Sequence, residues 1–239
     1  MELIKLKDIY LKKKNKNGAE KEILRGISFS LKEKSVLSVL GPSGSGKTSL
    51  LRLLNRIEDP TTGEIYYKEK LIKEYEVTGL RKKVAFLWQT PIVFKDSVRE
   101  EFCFTAKISK ATDKLDFDKI LHLAQDLGFE RSFLDKNPQE MSVGEKQRLS
   151  LIRILMSDPE IILADEPTSA LDIHSRDIVQ QVLEEYLKNG LKGLIMVTHD
   201  LHLAENLSTE GIIIEEGKIK HSGYIKDITG TWMNRYKES

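Results

Sequence analysis

Apolar and polar residues alternate from the start of the chain, and the spacing over residues 2–10 predicts a half-buried strand ending at Tyr10. Ile23 to Leu31 alternates the same way and predicts a second strand, with a polar turn from Lys12 to Gly18 between them. Ser35 to Leu40 is a short apolar run suited to a buried strand, and residues 49–55 after it carry the wide apolar stripe of a helix. Asp59-Pro60-Thr61-Thr62-Gly63 marks a turn. Short strands are expected at 64–68 and 71–72, and a buried strand from Lys83 to Trp88 ends at Gln89-Thr90-Pro91. Between 97 and 157 the pattern becomes helical. Leu115, Ile120, Leu121, Ala124 and Leu127 share one face before Gly128, and a further helix runs from Ser142 to Met156. Apolar strands return at Ile161–Ala164 and Gly193–Thr198, separated by a helix over 173–189 that Gly190 caps. A short helix over 200–207 and a hairpin over 212–219 complete the pattern. Strands alternating with helices predict an α/β doubly wound core. The segment 90–157 reads as a helical subdomain inserted into a core made of 1–89 and 158–239, all within one domain spanning 1–239.

Composition narrows the classes of function. The 239 residues are 40% hydrophobic and 31% charged, with 38 Lys+Arg against 37 Asp+Glu and a net charge of +1. A chain so balanced lacks the basic field of a nucleic-acid binder, so no nucleic-acid partner is expected. The single cysteine, Cys103, excludes an internal disulfide and a Cys-rich metal site, in keeping with a reducing compartment. No apolar run approaches the roughly 18 residues of a membrane span, and the N-terminus has no signal-peptide core. A cytoplasmic protein is expected, peripheral to a membrane if it works at one.

The chemistry centres on Gly41-Pro42-Ser43-Gly44-Ser45-Gly46-Lys47-Thr48, which fits the phosphate-cradling pattern G-x-x-x-x-G-K-[ST]. At ordinary residue frequencies such a match arises by chance roughly once in tens of thousands of positions. Its setting between a strand and a helix is what the chemistry needs. Glycines let backbone N–H groups approach phosphate oxygens, and the helix N-terminus adds partial positive charge. Lys47 is expected at the β- and γ-phosphates, and the Thr48 hydroxyl at Mg²⁺.

Nucleoside triphosphate hydrolysis also requires acids. Asp165-Glu166 follows an apolar strand, which places both carboxylates at the carboxyl edge of the sheet, beside the phosphate loop. Asp165 is expected to hold Mg²⁺, and Glu166 to orient or deprotonate the attacking water. His199 and Gln89 end strands in the same way. The first is placed to bond the γ-phosphate, the second to contact Mg²⁺ or the water. Ser142 with Glu145 three residues on is a capping box, and with Gly144 the same helix start is a second anion site.

In this order these elements resemble the nucleotide-binding subunits of ABC transporters. The matching segments are the phosphate loop, the glutamine turn Phe86–Gln89, the signature helix start Met141–Glu145, Asp165-Glu166 followed by Ser169-Ala170-Leu171-Asp172, and Val197-Thr198-His199-Asp200. The resemblance covers nearly the whole chain. It implies a P-loop NTPase (RecA-like) core with an antiparallel β subdomain and an inserted α-helical subdomain. It also implies ATP and Mg²⁺ as cofactors and ATP hydrolysis coupled to transport. ATP would be sandwiched between Gly41–Ser49 of one copy and Ser142, Gly144 and Glu145 of a second, packed head to tail, with Asp172 in the segment that runs across the contact. Tyr10 is the aromatic residue expected to stack on adenine. An integral membrane subunit is the second expected partner, docking near Pro91, Ile92, Val93 and Phe94, although Phe94 is equally suited to a buried core.

Two residues depart from the usual signature: Val143 stands for a glycine and Glu145 for a glutamine. Activity is expected to survive, since Ser142 and Gly144 remain. The segments Ser142–Arg153 and Trp88–Pro91 look most like bacterial ABC ATPases implicated in iron export. Importer ATPases for amino acids or phosphate share the same short layout, and a soluble non-transport ABC ATPase is the remaining alternative.

Overall fold

Residues 1–14, 18–109 and 115–236 are described by a computed structural model. Alternation in the N-terminal segment produces β1 (Glu2–Lys14) and β2 (Glu20–Lys32), antiparallel, with Tyr10 opposite Arg25 and Leu11 opposite Leu24. β1 also pairs with β4 (Thr62–Tyr67), which pairs with β5 (Lys70–Leu71), giving the order β2-β1-β4-β5. β1 runs on to Lys14 rather than ending at Tyr10. Residues 15–17 of the expected turn lie outside the described residues.

The second sheet holds β3 (Ser35–Leu40), β6 (Val84–Leu87), β7 (Ile161–Asp165), β8 (Gly193–Val197), β9 (Glu210–Glu215) and β10 (Lys218–Tyr224). Their order is β10-β9-β3-β8-β7-β6, parallel throughout except for β10. The central strands are continuously apolar because both faces of this sheet are covered. Ile161 and Leu163 of β7 and Ile195 and Val197 of β8 pack with Leu50, Leu51, Leu53 and Leu54 of α1 (Lys47–Leu54) and with the β1–β2 sheet. Ile162, Ala164, Leu194 and Met196 face the other way, onto α3 (Val98–Ile108), α4 (Phe117–Asp126), α5 (Val143–Leu155) and α6 (Ile173–Asn189). The inserted helices therefore share their core with the sheet. Truncating a fully buried side chain such as Leu54 to Ala costs about 2–5 kcal/mol at sites of this kind.

Several local expectations need correction. α2 (Val77–Lys83) was unforeseen, because only Leu80 of it is buried and it has no apolar period; Glu76 caps it by accepting from Thr78 and Gly79 N–H. Lys83 is consequently helical, and β6 ends at Leu87, leaving Trp88 partly exposed. On α4 the buried face is Ile120, Leu123 and Ala124, with Leu115 ahead of the helix. α7 (Leu201–Leu207) forms as expected. α8 (Ile225–Tyr236) was missed: Ile225 and Ile228 hold it over Gly211, where an added Cβ would come within 2.9 Å of Ile225. Because β3, β6, β7 and β8 run parallel, their carboxyl ends meet at one edge.

Candidate active site

That edge assembles the chemistry. The loop after β3 turns back against two neighbours, and two glycines make the turn possible. At Gly41 (φ 150°) a Cβ would lie 2.1 Å from the Ile214 carbonyl oxygen on β9. At Gly46 (φ 107°), the N-cap of α1, a Cβ would lie 2.7 Å from the Leu24 side chain and 2.9 Å from the Ile23 carbonyl oxygen. The loop therefore closes into a cradle that substituted residues would force open. Lys47 is buried, and its Nζ donates to the carbonyl oxygens of Gly41 (2.7 Å) and Pro42 (2.9 Å). Burial pulls its pKa down, against the pull of Glu166 and Asp165. The Ser45 hydroxyl is buried without a partner. A folded-in cation, an orphaned hydroxyl and an open-faced helix N-terminus are the fittings of a polyphosphate cradle.

Asp165 ends β7 and is 3% exposed. Burial lifts its carboxyl above the ordinary range and the charge of Glu166 adds to this, while the Thr48 hydroxyl donates to it and Arg52 and Lys47 oppose the rise. One carboxylate and one hydroxyl are hard oxygen donors of the kind Mg²⁺ takes alongside substrate phosphates, so these residues fit the ion. Glu166 follows with a left-handed backbone (φ 49°), a conformation costing of order 1–3 kcal/mol in a non-glycine residue. Its N–H donates to the Val197 carbonyl oxygen at 2.9 Å, which fixes the turn against β8. Its Oε2 accepts from Gln89 Nε2 at 3.0 Å, and its Oε1 lies 3.4 Å from His199 Nε2. The ends of β6, β7 and β8 thus converge on one carboxylate, a group able to hold a water molecule and take its proton.

Other expected residues stand apart from this cluster within one chain. Ser142 caps α5: its hydroxyl accepts from Glu145 N–H at 3.2 Å, and Glu145 Oε2 accepts from Ser142 N–H at 3.0 Å. Burial raises the Glu145 carboxyl, but the Ser142 hydrogen bonds and the Lys136 charge, 3.4 Å away, outweigh it and hold the group below its ordinary value. Its charge is thus engaged by its own helix. Gly144 packs on the next motif, where a Cβ would lie 3.2 Å from the Ala170 carbonyl oxygen. Asp172 caps α6, accepting from Ser175 N–H and Oγ, both at 2.9 Å. Among the described residues no hydrogen bond or ion pair joins Ser142, Gly144, Glu145 or Asp172 to Gly41–Ser49.

Tyr10 is not brought to the phosphate loop. Strand parity sends Leu11 into the core and Tyr10 to the opposite face, where its hydroxyl sits over Gly26 and its ring lines a cleft between β2 and β10 that contains none of Gly41–Ser49. The β1 residue that reaches Ser49 is Lys13, beyond the Tyr10 end that the alternation predicts. Lys13 Nζ donates to Ser49 Oγ at 3.2 Å and pairs with Glu58 at 2.6 Å. Extending the alternation of β1 past Tyr10 was the signal that could have found it. Also unforeseen is the support of the glutamine turn: Gln147 of α5 donates to the Trp88 carbonyl oxygen at 3.1 Å.

Pro91–Phe94 forms a surface. Ile92 is 54% and Phe94 57% exposed, which overturns the buried-core alternative for Phe94. The loop is held from below by Glu101, fully buried, which accepts from Phe94 N–H (2.9 Å) and Lys95 N–H (3.0 Å) and pairs with Arg153; Arg153 in turn donates to the Ile92 carbonyl oxygen at 2.8 Å.

The chain is similar in sequence and fold to known proteins. A family model described as ABC transporter matches residues 24–169. A putative hemin import ATP-binding protein of Staphylococcus haemolyticus is 36% identical over 84% of this chain and 92% of its own length. A putative ABC transporter ATP-binding protein of Pyrococcus furiosus is 30% identical over 91% of this chain and 83% of its own. Among solved structures, the ATP-binding cassette MJ0796, a dimer in a post-hydrolysis state bound to ADP and Pi, superposes with a TM-score of 0.81. It is 25% identical, covering 93% of this chain and 99% of that one.

Proposed function

We propose that this chain, which belongs to the ABC transporter family, couples ATP-driven closure of a head-to-tail dimer to the movement of a metal cargo through a membrane subunit. It is the ATP-binding subunit of an ABC transporter, and it hydrolyses ATP. The observation that carries the reading is the convergence of Gln89 and His199 on Glu166, beside the Thr48–Asp165 pair and Lys47. Lys47 exchanges its two loop carbonyls for β- and γ-phosphate oxygens. Thr48 and Asp165 would hold Mg²⁺, which when bound would offset the phosphate charge. Glu166 orients the attacking water and accepts its proton, a role worth about 10²–10⁴ in rate.

The dimer is supported by what one chain leaves unmade. Ser142 is exposed at the start of α5, and among the described residues neither it nor Gly144 is hydrogen-bonded to Gly41–Ser49, as expected if a second copy supplies the phosphate loop. Ile92 and Phe94, braced by Glu101 and Arg153, offer an apolar surface to a helix of the membrane subunit, and on this reading the chain works at the cytoplasmic face. No helix among the described residues is long and apolar enough to cross a membrane itself. Export of iron or another metal is the cargo reading, resting on the segments Ser142–Arg153 and Trp88–Pro91. Import is the second reading, favoured by the name of the hemin relative.

The test is co-purification with an integral membrane protein, followed by metal uptake into inverted vesicles that carry the complex. ATP-dependent uptake supports export, and ATP-dependent release contradicts it. Phe94→Asp should abolish co-purification while nucleotide affinity stays within about twofold. Retained association would remove Phe94 from the docking surface.

A further inference from the structure

We infer that the nucleotide site seats its base on no aromatic ring, that Lys13 closes its nucleoside end, and that the chain therefore binds purine and pyrimidine nucleoside triphosphates with similar affinity. This rests on reading Gly41–Ser49 as the nucleotide cradle. Ile9 and Leu11 are buried, Lys13 is the next residue on their face, and Tyr10, Lys12 and Lys14 point the other way. The inward face of this hairpin end packs against the cradle: Leu11 lies opposite Leu24, whose side chain abuts Gly46.

Lys13 is thereby set with its ammonium 3.2 Å from the Ser49 hydroxyl. With Lys47 and Thr48 at the β- and γ-phosphates, Ser49 marks the end of the phosphate chain nearest the sugar. Glu58, 2.6 Å from Lys13 and 3.3 Å from Arg52, anchors the ammonium there. No aromatic residue occurs between Leu11 and Glu22, so the hairpin end carries no ring to offer a base. The ring of Tyr10 is committed to Gly26 on the far face, and Trp88 lies beneath the Arg52 guanidinium, 5.5 Å from its centroid.

An ammonium attracts the triphosphate tail whatever base follows, whereas an aromatic plate adds about 5- to 100-fold in affinity by stacking. A site with the first and without the second reads the tail and not the base. Its affinity also falls with added salt, because Lys13 is partly exposed and its charge is screened.

The test is equilibrium binding of ATP, GTP, CTP and UTP with Mg²⁺ to the full chain carrying Glu166→Gln, which prevents turnover. Dissociation constants within about threefold of one another are expected. ATP binding tenfold or more tighter than GTP and UTP would overturn the inference. Binding of none of the four would overturn the nucleotide reading beneath it, so the two failures are distinct. In the same background, Lys13→Ala should weaken all four by a similar factor. A loss confined to ATP would mean that Lys13 reads the base. Lys13→Trp supplies the missing plate and should tighten ATP about tenfold. Unchanged affinity would mean that Lys13 does not face the nucleoside.

Discussion

Gln89 donates its side-chain amide to Glu166 across 3.0 Å, joining the end of β6 to the turn after β7. The other carboxylate oxygen faces His199 at 3.4 Å, so both oxygens of Glu166 are engaged. Gln89 thus fixes the direction of the Glu166 carboxylate. Replacing it with Ala should lower kcat by about tenfold to a hundredfold while leaving the nucleotide dissociation constant nearly unchanged, since Gln89 contacts none of the cradle. Single-turnover hydrolysis alongside equilibrium binding separates the two. A weakened affinity with normal kcat would place Gln89 on the nucleotide instead.

Asp165 sits in the folded chain with its carboxyl raised by burial and by the neighbouring Glu166. An acid whose folded pKa lies above its unfolded value binds more protons folded than unfolded, so stability falls as pH rises through the raised value. At neutral pH the ionised group therefore costs the fold free energy that function requires. Asp165→Asn should raise the thermal midpoint of the nucleotide-free chain by about 2–4 °C and lower ATP hydrolysis at least a hundredfold. Thermal melts with and without nucleotide read both effects. A lower midpoint would show that the Thr48 hydrogen bond outweighs desolvation.

Glu160 has the opposite sign. Burial lifts its carboxyl, but Lys68, Lys192 and the Tyr67 hydroxyl overcome this and hold it at about 2. A depressed acid contributes stability that is present above its ordinary value of 4.5 and is lost as pH falls toward 2. Urea melts of wild type and Glu160→Gln should differ by about 2 kcal/mol at pH 7, and the gap should narrow below pH 4.5. A gap that persists at pH 3 would assign the effect to packing rather than to charge.

The parts of the site that end strands were legible in the sequence. Gly41–Thr48, Gln89, Asp165, Glu166 and His199 each follow an apolar run, and parallel pairing carries them to one edge without further information. What was hidden depended on parity and on packing at a distance. Tyr10 and Lys13 belong to one strand, and only its continuation to Lys14 shows which of them faces the cradle. α8 contains Thr229, Gly230 and Thr231, poor helix formers, and is helical because Ile225 and Ile228 have Gly211 and its surroundings to cover. The strained backbone of Glu166 has no signature in an Asp-Glu pair; it follows from the hydrogen bond to Val197 on the next strand.

On the proposed function, Glu166 takes the proton of the attacking water in a site that a second copy completes. Glu166→Gln removes the proton acceptor and keeps the shape, so the measurement is the mass of this variant in solution with and without Mg²⁺ and ATP, together with its turnover. A monomer without nucleotide, a dimer with it, and ATP hydrolysis lowered at least a hundredfold are expected. A variant that hydrolyses ATP at the wild-type rate, or that stays monomeric at saturating ATP, would contradict the proposed function.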